Sequence, residues 1–205
     1  MIEPIVDIFK DKIETLLFAE KVAGIVKTAP VQISDGENRT FLKRFPVECQ
    51  TTIEDCKTGR YKDLIPNNAY QSIIYFEDNG ISLVSVNGTS FRFRANTTLV
   101  GWLNLAKLGQ TSCSISAAII ATLIKNLPQN HQNLPPVYQN IVWNITNILP
   151  KSAAIFSRYS YSEEVNQYLL YPFDYFALSM SIEFSVNSNC IEDFLPSDGI
   201  NCIKH

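Results

Sequence analysis

Cys113 is the side chain of this sequence that is best placed to act as a nucleophile. It lies in the stretch GQTSCSIS, at the predicted start of a helix, where the N–H groups of a first helical turn lower the pKa of a thiol. A cysteine hydrolase also needs a base, and of the 2 histidines His131 lies in a neighbouring loop. The alternative is that Cys113 is a packing residue of a Ser- and Ala-rich helix, and this interpretation is favoured.

Arg92 and Arg94 form the second candidate group. They alternate with apolar residues in the stretch FRFRAN, so both guanidinium groups lie on one face of a predicted strand. Such a pair could bind a carboxylate or a phosphate. The alternative is a solvated face, or pairing with Glu77 or Asp78 across the sheet, and it is favoured.

Other chemical signatures are missing from the sequence. It contains no C-x-x-C, H-E-x-x-H or acidic calcium-loop pattern and no glycine-rich phosphate loop. We therefore predict no metal site and no cofactor, and an enzymatic function has little support.

Aromatic side chains concentrate just before the last predicted strand. Rings anchor protein interfaces because they offer a large area with few rotatable bonds, but they also anchor cores. Both interpretations stay open, and the candidate interface residues are Tyr171, Phe173 and Tyr175.

The composition restricts the partners. The chain has 205 residues, of which 46% are hydrophobic and 18% charged, as is typical of one globular domain over residues 1–205. A net charge of −3 without a basic run argues against nucleic acid. No apolar stretch reaches the roughly 18–20 residues of a membrane helix, and no secretory signal is visible. The 5 cysteines are dispersed along the sequence, which is typical of reduced thiols rather than of disulfides. We therefore predict a cytoplasmic protein with no membrane or nucleic-acid partner.

The first half of the chain predicts a helix followed by strands. Apolar residues at helical spacing indicate an amphipathic helix that ends near Gly24. Strands VQIS and TFLKRFPVEC follow, then a long loop at about 51–68. The stretches AYQSIIYFED, ISLVSV and TSFRFRANTTLVGWLNL indicate a three-stranded antiparallel meander, with hairpin turns at Asn79-Gly80 and Asn87-Gly88.

The second half predicts a buried helix and a final strand. TSCSISAAIIATLIKNLP is apolar nearly all round, so we expect it to be packed on two sides. For VYQNIVWNITNILP a helix is favoured over a strand, and SAAIFSRYSY is predicted as a strand. FALSMSIEFSV alternates without interruption, as in a strand with one face on a core, and a polar tail covers about 187–205. The fold class is α+β, an antiparallel sheet packed by an N-terminal amphipathic helix and a central buried helix.

The order of these elements, and the stretch YPFDYFALSMSIEFSVNSNC, resemble the neck and tail-completion proteins of tailed phages and prophages. The resemblance covers the first helix and the last part of the chain. It implies a non-catalytic α+β subunit that assembles into a ring at the end of a tail tube, without a cofactor and as part of a virion.

Three functions follow in order of preference. The first is a structural or assembly protein that associates with itself or with other assembly proteins. The second is a small-molecule binding module with a pocket between the sheet and the central helix, and with Arg92 or Arg94 at its mouth. The third is a hydrolase that uses Cys113 and His131.

Overall fold

In the part of the chain that the structure describes, the fold is α+β, with six strands in one sheet and two helices against one of its faces. The computed structural model describes residues 1–34, 40–49, 62–109, 115–128, 137–149, 151–160 and 166–189. The elements are α1 (Glu3–Glu14), β1 (Lys21–Ser34), β2 (Thr40–Glu48), β3 (Ser72–Asn87), β4 (Ser90–Asn104), α2 (Ile115–Asn126), β5 (Tyr138–Leu149) and β6 (Phe173–Asn187), with short 3-10 turns at Ala153–Phe156 and Gln167–Leu169.

The sheet is mixed, so the prediction of a purely antiparallel sheet is wrong. The strand order is β2-β1-β3-β4-β6-β5, and β1 and β3 run parallel, with Val22 opposite Ile74. The reason is the path of the chain. β2 runs back along one edge of β1 as its antiparallel neighbour. β3 lies on the other edge and begins beside Lys21, at the start of β1, so the two strands run in the same direction.

Helix α1 is amphipathic, as predicted, and buries Ile5, Val6, Phe9 and Ile13 against the sheet. It ends at Glu14, earlier than expected, and Gly24 belongs to β1. The glycine has a packing role there. A Cβ atom at residue 24 would lie 2.8 Å from Oδ1 of Asp7, so the absence of a side chain lets α1 cross β1 closely.

Helix α2 is confirmed as a helix, but it is not packed on two sides. Its buried residues are Ile119 and Leu123, whereas Ala117, Ala118 and Ala121 face solvent. Alanine exposes little apolar surface, so a helix can be apolar all round in composition and still bury only one stripe. The helix is held to the sheet through Ser116, which donates a hydrogen bond to Asp174 at the start of β6.

Strand β6 has the predicted alternation and contributes six side chains to the larger hydrophobic cluster, which we call the main core. Its residues Phe176, Leu178, Met180, Ile182, Phe184 and Val186 are all buried in the cluster beneath the two helices. Gly101 of β4 lies directly under the ring of Phe176, where a Cβ atom would collide with it. On the opposite face Ser179, Ser181 and Glu183 are only half-buried.

A second, smaller core covers one end of that opposite face. It contains Trp102, Phe173, Tyr175, Phe156 and Tyr159, with other apolar residues of β1, β3 and the connection before β3. The residues 151–160 cross the sheet here as a 3-10 turn and loop, so the predicted strand SAAIFSRYSY is wrong. The predicted loop at about 51–68 contributes as well, because Leu64 is buried in this core; residues 50–61 and the tail from 190 onward lie outside the described residues.

Two further predictions of local structure are wrong. VYQNIVWNITNILP forms β5, in which Ile141 is buried and Trp143 half-buried while Val142 between them is exposed. Asn79-Gly80 is no hairpin turn, because β3 runs through it with an irregularity between Asp78 and Ile81. The turn at Asn87-Gly88 is confirmed, with Asn87 opposite Ser90, so the expected three-stranded meander is a two-stranded hairpin.

Glu77 is a carboxyl group buried at the junction of β1, β3 and the second core. Its side chain accepts a hydrogen bond of 2.7 Å from the hydroxyl of Tyr159, and Nη1 of Arg158 lies 3.5 Å away. Burial nevertheless raises the pKa of Glu77 above its usual value of 4.5, despite the opposite effects of Tyr159 and Arg158.

The raised pKa predicts how the stability changes with pH. Glu77 contributes its full stabilisation to the free energy of unfolding at a pH below its pKa in the unfolded chain. This stabilisation is lost as the pH rises through the higher pKa of the folded state, by about 1.4 kcal/mol for each unit of difference between the two pKa values. The variant Glu77→Gln keeps an acceptor for Tyr159 but cannot ionise. We expect its free energy of unfolding, measured by urea denaturation, to rise relative to wild type between pH 4 and pH 7. A fall would mean that the pair with Arg158 outweighs burial.

Candidate assembly surface

The two residues of the predicted nucleophile and base, Cys113 and His131, lie outside the described residues. Cys49 lies within them, half-buried at the end of β2. Burial raises the pKa of its thiol, so this cysteine stays protonated and weakly nucleophilic at neutral pH. In the described part of the chain no group of three or more potential ligands could hold a metal ion, and no helix is long and apolar enough to cross a membrane.

Arg92 and Arg94 do lie side by side on one face of β4, and one carboxylate binds both. Oε2 of Glu183 lies 2.5 Å from Nη2 of Arg92, and Oε1 lies 2.9 Å from Nε and 2.6 Å from Nη2 of Arg94. The hydrogen bond from Arg94 is the main cause of the lowered pKa of Glu183. The partner comes from β6 rather than β3, because Glu183 lies directly opposite Arg94 in the β4–β6 register.

This arrangement changes the predicted pocket. The cavity beside α2 has a volume of about 480 Å³ and is lined by apolar residues such as Phe18, Leu108 and Ile119, with Gln71 and Lys107 as polar neighbours. Arg92 and Arg94 are on the opposite face of the sheet, where their partner Glu183 lies, so they are not at its mouth. Nζ of Lys107 already donates to the carbonyl of Ala69.

The three candidate interface residues separate into two groups. Phe173 and Tyr175 are 9% and 7% exposed and belong to the second core, where Phe173 stacks on Trp102 at 5.3 Å between ring centroids. Tyr171 is 72% exposed, next to Leu170 at 66%. Of the three, only Tyr171 presents its ring to solvent.

A more extensive apolar surface lies on β3, where the sheet divides. β1 pairs with β3 only as far as Val26 opposite Glu77, and then continues with β2 alone. Arg158 lies at this fork and donates to the carbonyl of Asp78 and to the side chain of Asn79. Beyond the fork, Asp78–Asn87 pairs with β4 on one side, and its other edge has no partner strand among the described residues. We call Asp78–Asn87 the β3 arm.

The β3 arm exposes large apolar side chains on this open edge. Ile81 is 46%, Leu83 53%, Val84 41% and Val86 54% exposed. The register of β3 with β4 places Ile81 opposite Ala95, Leu83 opposite Phe93 and Val86 opposite Phe91. Ala95 belongs to the main core, and so does Phe184, which contacts Phe93. Ile81, Leu83 and Val86 therefore extend the apolar face of the sheet beyond the helices.

The open edge also lacks two of the usual protections against strand pairing, charged residues and proline. Natural edge strands carry charged residues or proline that prevent another strand from adding to them. From Asn79 to Asn87 the arm has neither. Sequence reasoning missed this surface because it placed ISLVSV as the middle strand of a meander, with both edges covered. The signal that was present is the uncharged apolar run itself.

Comparison with known proteins does not assign the chain. No family model matches the sequence, and no curated protein is significantly similar to it. The candidate surface therefore rests on its geometry.

The burial of the aromatic residues makes a direct prediction. Tyr175→Ala removes a ring from the second core and should lower the free energy of unfolding by about 3 kcal/mol or more, whereas Tyr171→Ala should change it by less than about 0.5 kcal/mol. Urea denaturation of both variants measures this difference. Equal effects would show that Tyr175 is not a core residue.

Proposed function

We propose that this protein is a non-catalytic assembly protein that acts by associating with other protein chains, including copies of itself, through the β3 arm. The observation that carries the proposal is the edge of the arm, which has no partner strand among the described residues and no charge from Asn79 to Asn87, together with four apolar side chains between 41% and 54% exposed. A monomer gains nothing from exposing a strand edge and an apolar surface together, because both favour association.

The chemistry of the described residues supports the same function. The only described cysteine has a thiol pKa raised by burial, and the arginine pair is occupied by Glu183. Neither group is poised for reaction. The neck and tail-completion proteins that the sequence resembles also act through contact, and a place in a prophage tail is part of the proposal.

A second candidate function is the binding of a small apolar ligand in the cavity beside α2. Its volume of about 480 Å³ falls in the range of small-molecule sites. Ala118→Trp would place an indole at the lining of this cavity. Titration with an anilinonaphthalene sulfonate dye should then show saturable binding to wild type that the variant loses. Dye binding that is equal in both proteins would exclude this site.

The assembly function is tested by measuring the mass of the protein in solution. Light scattering after size-exclusion chromatography, over a wide concentration range, should show a concentration-dependent multimer. Val84→Lys places a charge on the open edge, and we expect it to weaken association about tenfold or more, the equivalent of about 1.4 kcal/mol.

The matched control is Leu17→Lys, which introduces the same charge at a side chain that is 99% exposed and outside the sheet. It should leave the mass unchanged. A wild-type protein that stays monomeric at every concentration would contradict the proposal.

A further inference from the structure

The β3 arm has a sequence pattern that is the same in both directions. Ile81-Ser82-Leu83 is followed by Val84-Ser85-Val86, so apolar and serine positions mirror each other about the bond between Leu83 and Val84. Two identical strands that pair antiparallel about a two-fold axis at this bond would place each residue opposite its mirror position. Apolar side chains would then face apolar side chains, and serine would face serine.

The irregular backbone of the arm places the mirrored residues on the same face of the strand. Residues 81 and 86 are five positions apart, so in a regular strand they would point to opposite faces. The register with β4 shifts between Leu83 and Ser85, which adds one residue and returns Val86 to the face of Ile81. Ser82 and Ser85 lie together on the other face, opposite Arg94 and Arg92.

Strands that pair directly must agree in their faces as well as in their residue types. Opposite residues of an antiparallel pair point to the same side of the sheet. The pairs Ile81 with Val86 and Ser82 with Ser85 meet this condition in two copies of the arm. The bulge, which often protects an edge from pairing, is here the feature that makes the edge complementary to itself.

The outer strands of the sheet fit the arm less well. The outer strand β2 carries Lys43 and Arg44, whose charges oppose addition of an apolar strand. β5 has register shifts between Gln139 and Val142 and between Ile145 and Asn147, three residues apart, whereas the two shifts of the arm, between Asp78 and Ile81 and between Leu83 and Ser85, are two residues apart. A second copy of the arm is the partner whose residue types agree at every paired position from Ile81 to Val86.

We propose that two copies of this chain associate through their β3 arms, which pair antiparallel about a two-fold axis between Leu83 and Val84 and join the two sheets into one. The proposal rests on the assembly function proposed above and names the partner of that surface. The pairing brings the apolar patch of one copy, which includes exposed Ile81, Leu83 and Val86 and half-buried Phe91 and Phe93, beside that of the other. Because a two-fold contact closes on itself, any larger ring would need a second surface, and exposed Leu170 and Tyr171 offer one.

Charge variants at Ser82 and Ser85 test the register in the full-length protein. In the proposed pair, residue 82 of each copy faces residue 85 of the other. The double variant S82E/S85K therefore places opposite charges together twice, whereas S82E/S85E and S82K/S85K place like charges together twice. Sedimentation velocity at low salt over a range of concentrations gives the dimer dissociation constant of each protein.

We expect the two like-charge variants to dimerise more weakly than S82E/S85K by between about 2-fold and about 30-fold, from two cross-strand charge pairs. A 1:1 mixture of S82E/S85E with S82K/S85K should recover the affinity of S82E/S85K. The mixture also controls for net charge, because its mean charge equals that of S82E/S85K. The substitutions lie beside Arg92 and Arg94, so new charges there change the surroundings of these two side chains. Circular dichroism therefore checks that each variant is folded.

The possible results separate the two proposals. If the wild type associates but the three variants have equal affinities, the two-fold pairing of the arms is wrong and the assembly function stands. If S82E/S85K is as weak as the like-charge variants while their mixture recovers, residue 82 faces residue 82 and the antiparallel register is wrong. If the wild type is monomeric throughout, both proposals are overturned.

Discussion

The antiparallel pairing of β4 with β6 is the interaction on which the rest of the fold depends. It runs from Ser90 opposite Asn187 to Asn104 opposite Phe173 without a shift in register, although both strands are 15 residues long. A pairing of this length fixes which side chains share each face, because a slip of one residue would turn every side chain of β6 over. The helices cover one face because that face carries every second residue of β6 from Phe176 to Val186, all of them apolar. The second core covers only the end at which β6 begins, where Phe173, Tyr175 and Ala177 make the other face apolar as well.

The fork between β1 and β3 is a consequence of how the opposite face is covered. Residues 151–160 cross this face and reach β2, where the N–H of Ser160 donates to the carbonyl of Arg44. Arg158 and Tyr159 also bind Glu77 and its neighbours at the point where β1 leaves β3. The buried carboxyl group of Glu77 is thus part of the structure that ends the parallel pairing. Every residue of β3 beyond Glu77 is exposed. The cluster of Glu77, Arg158 and Tyr159 therefore lies both at the border of the second core and at the start of the unpaired edge of the arm.

The two faces of the arm region differ in a way that suits contact between proteins. On one face Arg92 and Arg94 share Glu183, so one carboxylate compensates one of the two positive charges near the arm and lowers the repulsion of a second copy. Such an exposed ion pair adds little to stability. On the other face the core side chains continue into exposed Ile81, Leu83 and Val86. Folding alone does not use this apolar surface, whereas association would bury it.

Local patterns in the sequence determined the amphipathic helix α1, the hairpin turn at Asn87-Gly88 and the alternation of β6, because each depends on the spacing of neighbouring residues along the chain. The same patterns failed where two periods fit equally well, as in β5, and where Asn79-Gly80 was compatible with either a turn or an irregular strand. Tertiary structure alone decided that β1 and β3 are parallel, that Phe173 and Tyr175 are core residues while Tyr171 is not, and that Glu183 binds the arginine pair. It also decided that ISLVSV lies at an edge with no partner strand in the described part of the chain. A strand becomes an edge strand when no distant segment pairs with it, and that is a property of long-range contacts which the composition of the strand does not contain.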